Sequence, residues 1–325
     1  MRYLKDLREG DMLSETYLCK SKQVLQTKAG KSYYSLILQD KSGTVDGKIW
    51  DLGPGIDHFD SMDYIRVDGQ VVSFQNALQM NIRRVHKCRE GEYDPKEYMP
   101  CTNKDIKEMY QELTSFIKSM KNEYLRTLAS NYFLDNKEIA KAFANHSAAK
   151  SVHHGFIGGL LEHTVSVTRL CDYIAKNYTI VNRDLLLTAA MFHDVGKLKE
   201  LSTFPENDYT DAGQLLGHIY IGAELIGKLA ADIPGFPEKL KHELMHCILA
   251  HHGELEYGSP KKPALVEALA LSMADNLDAK LETMTELFAG TEEKGWLGFQ
   301  KLFESNVRKH QERCCSFFLL EWGKC

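Results

Sequence analysis

The sequence predicts a multidomain chain in which a small all-β barrel precedes an all-α helical bundle. Two observations predict this fold class. Residues 1–90 contain short β-rich runs separated by turn signals, whereas from about residue 100 to about residue 290 the apolar residues recur at helical spacing. With 325 residues, of which 43% are hydrophobic, the chain is long enough for two or more domains with sizeable cores.

Four runs within the first 90 residues are rich in β-forming residues and predict strands. They are YYSLILQ (33–39), TVDGKIW (44–50), YIRVDGQVVSF (64–74) and ALQMNIRRV (77–85), with the turn signals KAGK, DKSG and QN between runs. Short strands this closely spaced indicate a small closed barrel.

Alternation along these strands predicts which side chains face outward. If Tyr34, Leu36 and Leu38 point into the barrel, their neighbours point to the solvent. The predicted outward residues are Tyr33, Lys48, Trp50 and, in the last strand, Arg83. Outward aromatic rings beside cations are typical of surfaces that bind single strands. Tyrosine and tryptophan are also ordinary strand residues, so any one of them is equally explained as core.

The remainder of the chain reads as helices. The polar segment GEYDPKEYMP resembles a linker, and residues 91–145 are predicted to form this linker and connecting helices, the first with Met109, Leu113 and Ile117 on one face. Residues 146–290 are predicted to be helices joined by short loops, and residues 291–325 a C-terminal helical tail.

Composition limits the classes of protein to which this chain can belong. The amino terminus is charged and lacks an apolar signal region, and no segment has the apolar length of a membrane span, so we expect a cytoplasmic protein without membrane partners. The eight cysteines are scattered without a CxxC pair, which favours reduced thiols over a zinc ribbon or disulfide scaffold. Residues 1–90 carry a net charge of +2 and the remainder −7. This distribution allows residues 1–90 to contact nucleic acid but does not require such contact.

A doublet of histidine and aspartate ends the apolar run LLLTAAMF. His193 and Asp194 are followed at once by Gly196 and Lys197, and a carboxylate in such an apolar place needs a cation or several donors. Further metal-competent groups lie on predicted inner faces of other helices. They are His163, His218, His251, His252 and Asp275.

A single histidine that points inward is more often a hydrogen-bonded core residue than a metal ligand. That explanation is preferred for His218, His251 and His252 taken one at a time. The adjacent pair His193 and Asp194 is harder to explain in this way, because both groups require partners. The whole set therefore predicts a metal site. His242 and His246 share a helix face but lack the glutamate of an HExxH motif, so they are left out.

The order of these residues resembles that of the HD-domain metal-dependent phosphohydrolases. GLLEHTVSV, HDVGK and SMADNLDA are similar to that superfamily's motifs, over residues 150–280. The resemblance implies that His163, His193, Asp194 and Asp275 bind a divalent metal. Asp278, three residues after Asp275 on the same helical face, is a rival ligand that the motif position disfavours.

The additional histidines resemble those of HD-domain members with two metals. By this resemblance, His218, His251 and His252 of this chain would hold a second ion, and Asp194 would bridge the two ions. Imidazole and carboxylate ligands suit Mn²⁺, the preferred assignment, as well as Fe²⁺, Co²⁺, Ni²⁺, Zn²⁺ or Mg²⁺. Such ions lower the pKa of bound water and polarise phosphoryl oxygens. Lys197 is assigned to the neutralisation of phosphate charge, with a solvated lysine as the alternative, and His154, beside His153, to substrate contact.

The front of the chain resembles an OB-fold, whose second and third strands present a binding face. An OB-fold followed by a helical linker and an HD domain is similar to the arrangement of the YhaM-type 3′-to-5′ exoribonucleases. This resemblance covers the chain to about residue 290. It implies a hydrolase that degrades single-stranded RNA from the 3′ end to nucleoside monophosphates. Single-stranded DNA stays open as an additional substrate. A homo-oligomer is compatible with it.

Two other functions stay open at this stage. One is an HD-type phosphohydrolase of nucleotides or cyclic dinucleotides with a regulatory OB domain, because a fold does not fix a function. The other is a non-catalytic nucleic-acid-binding protein, which predicts a chain without bound metal.

Overall fold

The computed structural model describes residues 1–75, 77–150, 155–289, 291 and 295–310. The chain divides into two compact units, Met1–Asp278 and Ala279–Cys325. Among the described residues, no helix combines the length and the apolarity that a membrane crossing requires.

Five strands form a closed barrel in the first unit. They are β1 (Met12–Gln26), β2 (Ser32–Asp40), β3 (Gly43–Ile49), β4 (Tyr64–Phe74) and β5 (Ala77–Lys87). The barrel order is β1-β2-β3-β5-β4, and β3 pairs with β5 in parallel while the other neighbours are antiparallel. A closed five-stranded barrel of this kind is the OB-type fold, as predicted.

Alternation along the strands fills the barrel. Leu36 and Leu38 in β2 and Ile49 in β3 are fully buried, and they pack with Val67 of β4 and Met80 of β5 in a single apolar cluster. The intervening side chains of β2 and β3 are more accessible. The period of two in the sequence therefore sets both the core and the outer face of the barrel.

The helical part of the first unit begins after the barrel. Its helices are α1 (Ile106–Ser119), α2 (Glu123–Phe133), α3 (Lys137–Asn145), α4 (Gly159–Asn177), α5 (Arg183–Phe192), α6 (Lys197–Glu200), α7 (Asp211–Ala231), α8 (Glu238–Leu249) and α9 (Val266–Ala289). The last of them, α9, extends into the second unit. Side chains capping the amino termini mark several helix starts: Asp105 accepts from Lys107 N and Glu108 N, and Asn182 accepts from Leu185 N.

One apolar core joins these helices. Leu113 of α1, Phe133 of α2 and Phe143 of α3 are fully buried in the same cluster as Phe192 of α5 and Leu244 of α8. The helices predicted as connectors therefore pack into the core that carries the histidine-rich helices. The division of the chain at residues 90, 145 and 290 stays a prediction.

A small cluster links the barrel to the helices. Leu18 of β1 and Tyr64 of β4 are buried with Tyr98 and Met99 of the connecting segment and with Ile157, which precedes α4. The backbone continues the link, because Thr102 N donates to Ile157 O at 3.0 Å and Ile157 N donates to Pro100 O at 2.9 Å.

The second unit corrects the prediction of a helical tail for residues 291–325. Two antiparallel strands, β6 (Gly295–Gln300) and β7 (Ser305–Lys309), form a hairpin, so the prediction is wrong for this stretch. Gly295 and Gly298 have φ values of 102° and 80°, which a right-handed helix does not contain, and the aromatic Trp296 favours a strand. Residues 311–325 lie outside the described part of the chain.

Candidate metal centre and nucleic-acid interface

Four predicted residues from three parts of the helical bundle converge. His163 lies on the second turn of α4, His193 and Asp194 directly follow α5, and Asp275 lies in α9. His163 Nε2 is 3.1 Å from both His193 Nε2 and Asp275 Oδ1. The nearest oxygen of Asp194, Oδ2, is 3.5 Å from His163 Nε2 and 3.4 Å from His193 Nε2. These atoms form a first cluster with the spacing that several ligands of one ion require.

A second cluster contains the remaining predicted histidines. His218 lies in α7, and His251 and His252 follow the end of α8. One ring nitrogen of each lies within 4.8 Å of the others, as the ligand atoms of His163, His193 and Asp275 do in the first cluster. The three histidines that individually looked like ordinary core residues are therefore neighbours in space.

Asp194 lies between the two clusters. Its Oδ2 faces the first cluster, whereas its Oδ1 is 3.5 Å from His218 Nε2 and 3.9 Å from His251 Nε2 of the second. The carboxylate is almost fully buried. A single side chain thus presents one oxygen to each group of histidines, which is the geometry of a bridging ligand.

The outer nitrogen of each histidine is held by an acceptor. His193 Nδ1 lies 2.8 Å from Ala190 O, His251 Nδ1 2.6 Å from Ile248 O, and His252 Nδ1 2.8 Å from Tyr257 O. In each case the Nδ1–H donates to the carbonyl oxygen, so Nε2 carries the lone pair. Such outer bonds fix the tautomer and the ring orientation of metal-binding histidines.

Asp278 has a different role from its rival Asp275. Its Oδ2 accepts a hydrogen bond from His163 Nδ1 at 2.7 Å, and its Oδ1 accepts one from the Ser166 hydroxyl. Asp275 instead approaches Nε2 of the same imidazole. The helix therefore presents Asp275 to the first cluster, and Asp278 orients His163 from behind.

Glu200 orients His218 in the same manner, and the sequence did not single it out. Its Oε1 accepts from both the backbone N and the Nδ1 of His218, each at 2.9 Å. The contact is made where α7 is broken at Gly217, whose φ of 71° and ψ of 155° are not helical. Glu200 is buried in the short α6 and therefore needs donors, but no local sequence pattern marks it.

Close packing brings α6 and α7 together beside the doublet. A Cβ atom on Gly196 would lie 2.1 Å from His218 O, and a Cβ atom on Gly213 would lie 2.2 Å from Glu200 O. Only glycine allows these approaches. The glycine in HDVGK is therefore needed to place His218 next to Asp194.

The two clusters carry compensating charges. Burial disfavours the protonated form of His163, but hydrogen bonds to Asp275 and Asp278 outweigh it and raise its pKa to about 10. Burial also opposes the charge of Asp194, yet Lys197 and His193 hold its pKa well below the usual range. In the second cluster, burial and the neighbouring His252 keep the pKa of His251 low, so that this imidazole is neutral. A metal requires ionised carboxylates and neutral imidazoles, so an ion bound at the first cluster would take the place of the proton that His163 holds between Asp275 and Asp278.

The donor atoms fit a divalent metal. Asp194 Oδ1, His218 Nε2 and His251 Nε2 are buried and have no hydrogen-bond partner among the described residues. Three converging acceptors without a donor are costly in a protein interior unless a cation or ordered water satisfies them. With nitrogen and carboxylate donors and no thiolate in either cluster, the set suits a divalent transition metal or Mg²⁺.

Of the two predicted catalytic residues, Lys197 and His154, the structure describes only Lys197. Lys197 Nζ lies 2.7 Å from Asp194 Oδ2, and the lysine side chain is largely buried. Burial works against its ammonium form, but Asp194 raises its pKa above the ordinary value. Lys197 is therefore a cation at the edge of the first cluster. His154, like its neighbour His153, lies outside the described residues.

The barrel brings three of the predicted nucleic-acid-binding residues together. Tyr33 and Trp50 stack on each other, with ring centroids 4.6 Å apart, and Trp50 is 44% exposed. Trp50 Nε1 donates to Asn81 Oδ1 at 3.0 Å, and Lys48 is paired with Asn81 across β3 and β5. Arg83 is exposed two residues further along β5. Asn81 is not among the predicted binding residues, and its support of Trp50 is seen only in the structure.

Comparisons with known proteins agree with this architecture. Residues 160–280 match the HD domain family. The chain is 34% identical over 277 residues to the 3′-5′ exoribonuclease YhaM of Bacillus velezensis, and the match covers 85% of this chain and 87% of that protein.

Solved structures match parts of the chain. The second OB-fold domain of replication protein A from Methanococcus maripaludis is 16% identical and covers 28% of this chain and 98% of that one, with a TM-score of 0.23. The HD domain of the phosphodiesterase PgpH from L. monocytogenes is 18% identical and covers 48% and 82%, with a TM-score of 0.28. The near full-length match to the Bacillus protein, together with the HD domain, shows that the chain belongs to the family of the YhaM 3′-5′ exoribonucleases.

Proposed function

We propose that this protein is a metal-dependent 3′-to-5′ exoribonuclease that hydrolyses single-stranded RNA to nucleoside monophosphates. Membership of the YhaM family supports the reaction and its direction. The observation that carries the proposal is the position of Asp194, whose two oxygens face two separate groups of donor atoms. Single-stranded DNA is a second substrate that the same chemistry permits.

The proposed centre holds two ions. His163, His193 and Asp275 would hold one, His218, His251 and His252 would hold the other, and Asp194 would contact both. When bound, a pair of divalent ions supplies Lewis acidity to a phosphoryl oxygen and lowers the pKa of bound water. Mn²⁺ is the preferred ion. Imidazole and carboxylate ligands also accommodate Fe²⁺, Co²⁺, Ni²⁺, Zn²⁺ and Mg²⁺ to different degrees, so these ions are alternatives.

The protein's own groups prepare the reaction. Asp278 and Glu200 keep His163 and His218 in orientations that point Nε2 at the centre. Lys197 adds a positive charge next to Asp194, where it reduces the repulsion that an approaching phosphate would meet from the carboxylates. The buried walls exclude bulk water, so these electrostatic interactions act in a medium of low polarity.

The barrel is proposed to hold the strand while its end is cleaved. Tyr33 and Trp50 offer ring faces to bases, and Lys48 and Arg83 offer positive charge to phosphates. Stacking of this kind tolerates any base sequence, and phosphate contacts weaken as the salt concentration rises. A strand held in this way is suited to repeated removal of terminal nucleotides.

The test uses single-stranded RNA labelled at the 5′ end, or blocked at the 3′ end, with purified protein and Mn²⁺. Wild-type protein should shorten the 5′-labelled strand in a ladder and leave the 3′-blocked strand intact. Asp194→Asn should lose metal and activity, by at least about 100-fold, because one side chain serves both clusters. The matched control is Asp135→Asn, an exposed aspartate outside both clusters.

Four outcomes would contradict the proposal. Intact RNA with metal-loaded wild-type protein would exclude the nuclease. Rapid hydrolysis of free nucleotides or cyclic dinucleotides, with RNA left intact, would favour the small-molecule phosphohydrolase. Elemental analysis that finds no metal in active protein, or full activity in Asp194→Asn, would remove the two-ion centre from the mechanism.

A further inference from the structure

The last strand of the barrel, β5, contains a β-bulge at Arg83. Asp68 of β4 pairs with Arg84, and the next residue of β4, Gly69, pairs with Ile82, so Arg83 is an additional residue that pairs with no residue of β4. A bulge of this kind interrupts the regular alternation of side chains and redirects the residues next to it.

The bulge places two consecutive arginines on the outside of the barrel. Strict alternation from the buried Met80 and Ile82 would turn residue 84 inward. Instead, Arg83 and Arg84 are both exposed, and Val85 is the next buried residue. The outer surface of β5 therefore carries one more guanidinium group than regular alternation provides.

Both arginines lie beside the segment that follows Trp50. A bridge between Ile56 and Val85 holds this segment along β5, and Val85 N donates to Gly55 O at 3.0 Å. A Cβ atom on Gly55 would lie 3.5 Å from Arg84 Cγ, so the aliphatic part of the Arg84 side chain passes over this glycine. Arg84 thus lies on the part of the barrel surface that includes the loop leading from Trp50.

The carboxylates around this surface are engaged with other groups. The pairs are Asp51 with Lys31, Asp57 with His86, and Asp68 with the Ser14 hydroxyl. Neither Arg83 nor Arg84 forms an ion pair or a side-chain hydrogen bond within the described part of the chain. Two neighbouring guanidinium groups without a carboxylate favour an anionic partner, and the planar fork of each group matches the oxygens of a phosphate.

We propose that Arg84 is a further phosphate-binding residue of the barrel, and that Arg83 and Arg84 contact neighbouring phosphates of a single strand whose base stacks on Trp50. The proposal rests on the proposed exoribonuclease function for the identity of the strand. Phosphate contacts hold a strand in position and carry no information about its bases. The contribution of Arg84 to binding should therefore depend on the salt concentration and not on the base.

The experiment measures binding of fluorescein-labelled oligo(U) and oligo(A) RNA to full-length protein in EDTA, over a range of about 0.05 to 0.3 M salt. Each neutralised phosphate of a single strand contributes about 0.7 to the slope of log K against log salt. Arg84→Gln should therefore lower this slope by about 0.7 and weaken binding about fivefold at about 0.1 M salt, equally for both RNAs.

Two further variants control for charge. Arg84→Lys keeps the positive charge and should keep the wild-type slope. Lys118→Gln removes an exposed positive charge at the end of α1 and should bind both RNAs as wild type does. An unchanged slope in Arg84→Gln, or an equal loss in Lys118→Gln, overturns the assignment of Arg84. A loss that differs between oligo(U) and oligo(A) overturns it as well, because Arg84 would then contact a base.

The binding experiment separates this proposal from the proposed function, because it requires neither metal nor hydrolysis. If the chain degrades no RNA but binds it with the expected dependence on Arg84, the phosphate contact stands and the exoribonuclease is excluded. If Arg84→Gln degrades RNA with the KM of wild type, the exoribonuclease stands and the phosphate contact is overturned.

Discussion

At the scale of single residues, the histidines depend on acceptors that hold them from behind. Asp278 accepts from His163 and Glu200 accepts from His218, while backbone carbonyls hold His193, His251 and His252. The two carboxylates add charge as well as orientation, and a charged acceptor makes the imidazole a stronger ligand. The proposed centre therefore includes residues that would touch no metal.

The Asp278→Asn variant tests this role. The amide can still accept from His163 Nδ1, but it lacks the negative charge, so we expect a loss of about 10- to 100-fold in Mn²⁺ affinity or in activity at limiting Mn²⁺. Calorimetric Mn²⁺ titration and the Mn²⁺ dependence of RNA hydrolysis measure it. Asp135→Asn is the control, and unchanged Mn²⁺ affinity in Asp278→Asn would show that Asp278 only supports the fold.

Local sequence predicts some of these residues and not others. His193 and Asp194 could be predicted because both end one apolar helix, where inward polar groups need partners. Glu200 could not, because its contact with His218 depends on the break at Gly217 and on the approach of α7 to α6. Asp275 and Asp278 share a helix face, and only the positions of the two nitrogens of His163 separate their roles.

At the scale of elements, glycines decide how closely the segments around the centre approach. Gly196 lets α6 lie against the backbone of His218, and Gly213 lets α7 lie against Glu200. A similar cause explains the error at the end of the chain. A helical tail was expected for residues 291–325, but Gly295 and Gly298 adopt positive φ and residues 295–309 form a hairpin.

Two glycine substitutions should have opposite effects on stability. Gly196→Ala places a Cβ atom 2.1 Å from His218 O, so we expect the free energy of unfolding to fall by about 1–3 kcal/mol. Gly227→Ala lies inside α7, where the new Cβ atom meets Met245 at an ordinary 3.8 Å, and should gain about 0.5–1 kcal/mol. Urea unfolding measures both values. Equal stability of Gly196→Ala and wild type would contradict the close packing of α6 on α7.

At the scale of the first unit, the barrel and the helices are joined, and in the proposed function they carry different tasks. The buried cluster of Leu18, Tyr64, Tyr98, Met99 and Ile157 connects them, so the two parts pack together within one compact unit. The outward side chains of the barrel were predictable because alternation places them on one surface. The cluster at the junction was not, since its members come from four separate segments.

The division of tasks predicts a selective defect in Trp50→Ala. Trp50 is exposed and stacks on Tyr33, so its removal should cost about 1–3 kcal/mol of binding to long single-stranded RNA, with little effect on folding. KM for a long RNA should rise, whereas kcat and the hydrolysis of bis(p-nitrophenyl) phosphate should stay at wild-type values, because the metal centre is untouched. Tyr173→Ala, which removes an exposed aromatic ring from α4, is the control. An equal loss on both substrates would mean that Trp50 acts through the fold, and unchanged affinity for RNA would place the strand on another surface of the barrel.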